Sequence, residues 1–138
     1  MKTLRHITLV VRDYDEALAF YVGKLGFDLV EDSAQPEQDK RWVTIRPPGA
    51  GPQATTILLA RAATPEQSAR VGDQTGGRVA FFLSTDDFDR DHAHFTAAGV
   101  TWVRPPVDQP YGRVAVFADL YGNLWDLIGP VPGGACVG

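Results

Sequence analysis

The sequence predicts an α+β fold of two tandem βαβββ units, and three observations carry that expectation. Strand-like and helix-like segments follow one another in the order β, α, β, β, β, and the same order then returns. Landmarks return with it: Asp13-Tyr14-Asp15 as Asp87-Phe88-Asp89, Gly26-Phe27 as Gly99-Val100, and Arg41 as Arg113, at offsets of 74, 73 and 72. A near-constant offset marks a duplicated unit. Between the halves, over residues 61–77, the apolar periodicity lapses.

Each element has a local reason. Residues 4–12 set β-branched and aliphatic side chains at short spacing, as a strand does. Asp13-Tyr14-Asp15 then opens a helix with Ala17, Phe20, Tyr21 and Leu25 on one side, and Gly26 is placed to stop it. Phe27-Asp28-Leu29-Val30, Arg41-Trp42-Val43-Thr44-Ile45 and Thr55-Thr56-Ile57-Leu58-Leu59 follow as strands, parted by turn-rich stretches at 35–39 and 47–52. In the second half, residues 79–85 form a strand, Asp87 opens a helix that runs to about Ala98, and Gly99 ends it. Thr101-Trp102-Val103, Val114-Ala115-Val116-Phe117 and Leu124-Trp125-Asp126-Leu127-Ile128 supply three more strands. The expected organisation is one domain over 1–138, with units of about 1–62 and 77–130 and a flexible tail at 131–138. A linker at 63–76 holds Pro65, suited to the first turn of a short helix, and Gly76-Gly77 makes a hinge.

Composition narrows the function. With 44% apolar and 22% charged residues, 138 residues can bury a real core. The net charge of −4 is scattered, with no Lys/Arg run, so capture of a phosphate backbone has no footprint and nucleic acid is not an expected partner. The single cysteine, Cys136, permits no intrachain disulfide, in keeping with a reducing compartment. The apolar run Ile7-Thr8-Leu9-Val10-Val11 is broken by Arg12 and Asp13, too soon for a signal-peptide core or a membrane span. A cytoplasmic location without a membrane partner is the expectation.

Two segments carry a resemblance. His6-Ile7-Thr8-Leu9-Val10-Val11-Arg12-Asp13 resembles the opening strand of the vicinal-oxygen-chelate superfamily, which holds the glyoxalases, bleomycin-resistance proteins and extradiol dioxygenases. Asp119-Leu120-Tyr121-Gly122-Asn123-Leu124-Trp125-Asp126-Leu127 is similar to its closing motif, in which Gly-Asn makes a turn and a carboxylate is a metal ligand. The resemblance spans residues 4–128 and implies a glyoxalase-like fold, in which the curved sheets of the two units form a ligand cup. It also implies a homodimer, since members pair their units within one chain or swap them between two. Strand alternation then places His6, Thr8 and Val10, with Ala80, Phe82 and Ser84, on the cup side, and sets Leu124, Asp126 and Ile128 on one side of the last strand.

Asp126 is the most informative residue, because a carboxylate within an apolar strand is costly unless a metal, a cation or hydrogen-bond donors face it. The resemblance nominates His6 and Asp126 as ligands of a divalent ion, with Zn, Mn, Fe and Ni all compatible with such donors. A hydrogen bond from backbone or from the Trp125 indole is the structural alternative. The ligand expected at the start of the second unit falls on Ala80, and its counterpart in the fourth strand falls near Leu58, so the ligand set is incomplete. His92 and His94 do not replace them: two apart on a helix, they share no face.

Three functions follow. One is a metal-dependent lyase, isomerase or dioxygenase acting on a small oxygen-rich substrate through His6 and Asp126. The second is a metal-free protein that sequesters an antibiotic-like molecule. The third is a metal-independent acid/base enzyme in which His6 and Asp126 form the catalytic dyad. In each, Trp42, Phe82, Tyr111 and Trp125 are candidates for an aromatic ligand wall, and Arg41 or Arg113 for meeting an anionic group. The segment 104–112, with three prolines, reads as a loop at the cup mouth, Gly112 allowing Tyr111 to turn inward.

Overall fold

A computed structural model describes residues 1–132; the Cys136 tail lies outside the described residues. The described residues form two compact units, divided between Gln74 and Thr75. The first contains β1 (His6–Val11), α1 (Tyr14–Tyr21), β2 (Asp28–Gln35), β3 (Lys40–Arg46), β4 (Thr56–Arg61) and the one-turn α2 (Pro65–Ser68). The second contains β5 (Val79–Ser84), α3 (Phe88–Ala97), β6 (Thr101–Gln109), β7 (Gly112–Ala118) and β8 (Leu124–Gly129). The sheets repeat one topology, β1-β4-β3-β2 and β5-β8-β7-β6, with the first pair in each parallel and the others antiparallel. The expected α+β fold of two βαβββ units is therefore present.

The duplication is chemical as well as topological. Asp13 and Asp87 cap the two long helices, accepting hydrogen bonds from the backbone N–H of Glu16 and of Arg90 at 2.8 and 3.1 Å. Both helices carry acidic first turns, which favour the positive end of the helix dipole. Each helix seals one face of its own sheet. In the first unit Ala17 and Tyr21 of α1 and Leu9, Val11, Val43, Ile45 and Leu59 of the strands are completely buried. In the second, Phe88 and Phe95 of α3 are buried with Phe117, Trp125 and Leu127. Phe117 stacks on Trp125 at 5.9 Å and meets Phe95 edge-on at 5.5 Å. Burial of side chains of this size stabilises by roughly 1.5–3 kcal/mol apiece, so the sealed faces dominate the stability.

Two strands are longer than the sequence pattern predicts. β2 continues to Gln35, and β6 runs through Arg104-Pro105-Pro106-Val107-Asp108-Gln109, a stretch read from the sequence as loop. The prolines lack the N–H that a regular ladder needs, but β6 is an edge strand and its register shifts on both sides of Arg104. Bulges on an edge are where a sheet tolerates proline. The true connection is the hairpin turn Pro110-Tyr111. Gly112 closes it at φ 144°, where a Cβ would lie 2.6 Å from the Gly129 carbonyl oxygen.

The turn before β8 sets the register of the last strand. Buried Asp119 accepts hydrogen bonds from the backbone N–H of Tyr121 and Asn123, both at 2.9 Å, and from the Asn123 side-chain amide at 2.9 Å. Asp119→Ala strands buried donors and is expected to cost about 3 kcal/mol. Thermal denaturation followed by circular dichroism should show a loss of roughly 10 °C; a loss within experimental error would show that the turn holds without the carboxylate.

Candidate functional site

One long helix per four strands covers one face of each sheet, and the candidate residues divide between the two opposite faces. In the first unit the open face carries His6, Thr8 and Val10 of β1, Thr56, Leu58 and Ala60 of β4, and Trp42 and Thr44 of β3, as the register dictates. A hydrogen bond joins His6 Nδ1 to Thr56 Oγ1 at 2.5 Å, and the Trp42 ring meets the imidazole edge-on at 5.4 Å. Beside Trp42 runs a groove of about 440 Å³, with Tyr14, Lys40, Arg41, Leu58, Ala60 and Arg61 among its lining.

In the second unit the ladder sets Phe82 opposite Asp126, Asp126 opposite Val116, and Val116 opposite Arg104. Phe82 is 66% exposed. Asp126 Oδ1 is buried and has no hydrogen-bond partner among the described residues. Neither the backbone nor the Trp125 indole supplies the expected bond to it. Burial pushes the Asp126 carboxyl above the usual carboxylate range, and the positive charge of Arg104 pulls it partly back.

Some sequence candidates fall elsewhere. Trp125 alternates with Asp126 and points to the helix-covered face, 2% exposed, 4.4 Å from the Phe81 ring, so it is core and not a ligand wall. Arg113 is likewise engaged on the helix side: it donates to Asp108 at 2.6 and 3.2 Å and to Asp89 at 3.0 Å. Arg41 repeats the pattern with Asp32 at 3.1 and 2.7 Å and Asp15 at 2.9 Å. Each arginine ties the first turn of its helix to an edge strand, so its charge serves the fold before any ligand, and hydrogen bonding to it lowers the Asp32 and Asp108 carboxyls. Tyr111, 69% exposed, occupies the β6–β7 turn. His92 packs between Phe88 and Trp102, at 5.7 and 4.2 Å, and His94 neighbours Phe95.

Thr56 and Arg104 escaped the sequence reading. Thr56 gives no signal beyond pairing with His6. Arg104 was hidden by the bulges, because counting alternate residues along β6 fails wherever the register shifts.

The chain belongs to the Glyoxalase/Bleomycin resistance protein/Dioxygenase superfamily, whose sequence profile matches residues 3–127. An uncharacterized protein of Shewanella frigidimarina (strain NCIMB 400) is 58% identical over 127 residues, covering 92% of this chain and 93% of that one. Among solved structures, UcmS2 superposes with a TM-score of 0.78 at 32% identity, covering 93% of this chain and 98% of its own. TnmS3, an antibiotic binding protein from Streptomyces sp. CB03234, superposes with a TM-score of 0.74 at 31% identity, covering 94% and 97%.

The residues present do not fit the divalent ion that the resemblance suggests. The register aligns Leu58 with Asp126, since Thr8 and Thr44 flank the former as Phe82 and Val116 flank the latter. Leu58 offers an alkyl group; Ala80, the repeat of His6 by sequence offset, falls in a bulge, and Val79 takes the register position of His6, so the second sheet offers only alkyl groups there. Among the described residues no three His, Cys, Asp or Glu side chains gather to hold a metal. The positive charge of Arg104 acts on Asp126 as well, which disfavours a further cation beside that carboxyl.

The electrostatics of Asp126 give a test. A carboxyl whose pKa rises on folding binds its proton more tightly in the folded chain. Stability therefore falls as pH rises through the unfolded and then the raised folded pKa, and the full cost remains above both. Asp126→Asn is expected to gain about 1 kcal/mol at neutral pH, a few degrees of melting temperature, with the gain vanishing near pH 3. Melting curves at both pH values decide it; a destabilised variant at neutral pH would mean that the carboxylate has a partner.

Proposed function

We propose that this chain binds a small aromatic molecule without a metal, as a capture protein for an antibiotic-like ligand. The observation that carries the reading is Asp126 Oδ1: it is buried, none of the chain's described donors satisfies it, and it pairs across the ladder with the exposed Phe82. A desolvated acceptor of this kind is stabilised by a donor on a bound molecule, and an exposed aromatic ring supplies the contact area. The groove beside Trp42 has the volume usual for small-molecule sites. The likeness to TnmS3 supports the same reading.

A second reading keeps His6 and Asp126 as a metal-independent acid/base pair of an isomerase or lyase. The carboxyl that burial pushes up supports it, since such a group holds a proton closer to neutral pH. A metal-dependent lyase or dioxygenase is the least supported, for want of donors at Ala80 and Leu58. Exposed Leu29, Val30, Val103 and Val107 on the edge strands support a homodimer.

Elemental analysis of protein purified without chelators, repeated after soaking with Zn, Mn, Fe and Ni, is expected to find substoichiometric metal. Calorimetric titration with a panel of aromatic antibiotics is expected to give binding that chelator leaves unchanged. Near-stoichiometric metal removed by both His6→Ala and Asp126→Ala would overturn the capture reading in favour of the metal enzyme. Turnover of a carbonyl substrate that either substitution abolishes, with affinity retained, would favour the acid/base pair.

A further inference from the structure

The two open faces are repeats in backbone but not in chemistry, and the difference is concentrated in one row of side chains. Across the first sheet the row reads Thr8, Leu58, Thr44, Glu31, by the ladder partners of β1, β4, β3 and β2. Across the second the equivalent row reads Phe82, Asp126, Val116, Arg104. A hydroxyl, an alkyl group, a hydroxyl and a carboxylate are thus replaced by an aromatic ring, a carboxyl, an alkyl group and a guanidinium. Neighbouring strands lie about 4.8 Å apart, so Asp126 and Arg104 are rooted about 10 Å from one another with Val116 as the apolar floor between them.

Three features set this row apart from ordinary surface. The carboxyl has a buried oxygen without a partner. The guanidinium makes no ion pair or hydrogen bond among the described residues, whereas Arg41, Arg90 and Arg113 each hold two carboxylates. The floor is sealed, Val116 being 4% exposed, while Phe82 stands out at the end of the row. An acceptor and a donor that stay apart across an apolar strip match a flat molecule with the complementary groups at its two ends.

We propose that Phe82, Asp126, Val116 and Arg104 form the row that determines ligand specificity. Its ligand is a planar aromatic with a hydroxyl or N–H donor at one end and an anionic or carbonyl oxygen at the other. This rests on the capture reading and adds the ligand class. The donor end meets Asp126 beside the Phe82 ring, the flat body lies over Val116, and the oxygen meets Arg104. The Thr8 row lacks both groups and does not select.

The test is calorimetric titration of the full chain with three probes: 6-hydroxy-2-naphthoate, 2-naphthoate, which lacks the hydroxyl, and 2-naphthol, which lacks the carboxylate. Arg104→Ala is expected to weaken both carboxylates by about tenfold or more and to leave 2-naphthol unchanged. Asp126→Leu, which copies Leu58 of the first unit, is expected to weaken the two hydroxyl-bearing probes by a similar factor and to spare 2-naphthoate. Arg104→Lys should restore part of the carboxylate affinity, a rescue that a purely structural role would not give, and Glu31→Ala should change nothing. Binding of the probes that is indifferent to both positions, or weakened equally for all three, overturns the row and leaves the capture reading intact. Failure of the wild-type chain to bind any naphthyl probe at millimolar concentration overturns both.

Discussion

Each unit of this chain owns four strands and only one helix long enough to cover them. A sheet has two faces, and alternate side chains along every strand point to opposite ones. The helix can seal just one. Leu9, Val43, Leu59 and their neighbours go to the sealed side in the first unit, Phe117, Trp125 and Leu127 in the second. Whatever lies between them in sequence is delivered to the unsealed side. His6, Trp42, Phe82 and Asp126 are candidates for function because the described residues of each unit hold no second helix long enough to cover them.

The same constraint accounts for the repeated arginines. Arg41 and Arg113 alternate onto the helix side, where the acidic first turns of α1 and α3 approach the edge strands. A cation there ties helix to sheet through two carboxylates at once. The pairs are half-exposed, and solvent-screened pairs of this sort are individually weak. Their value is geometric: they hold the helix start over the strand that it must cover. Arg104 is the contrasting case, a guanidinium that a bulge turns to the open face with no carboxylate bound to it among the described residues.

Duplication makes the functional asymmetry visible. Backbone pairing is preserved so closely that Leu58 and Asp126 occupy one position in two sheets, as do Thr8 and Phe82. An ionisable group at such a position is expensive, and the first unit avoids the expense with leucine. The second unit retains a carboxyl with a buried oxygen that none of the described donors satisfies. Stability favours the first solution, so the second is the one that needs an explanation.

Much of this was legible in the sequence. The order of elements, the two aspartate caps, the glycines that end the helices and the repeat offset all rest on local chemistry, and local chemistry is written along the chain. So was the prominence of Asp126, because a carboxylate amid Leu124, Leu127 and Ile128 breaks an apolar pattern whatever the fold. The sequence by itself therefore determined the architecture and the residue that most needs an explanation. Only the tertiary structure decided that Trp125 is core, that Arg113 is committed to Asp89 and Asp108, that β6 continues through its prolines, and that Arg104 shares a row with Asp126. The physical reason is that a bulge changes the side-chain alternation without changing composition, and a partner across a ladder lies tens of residues away. Neither leaves a periodic trace in the residues beside it.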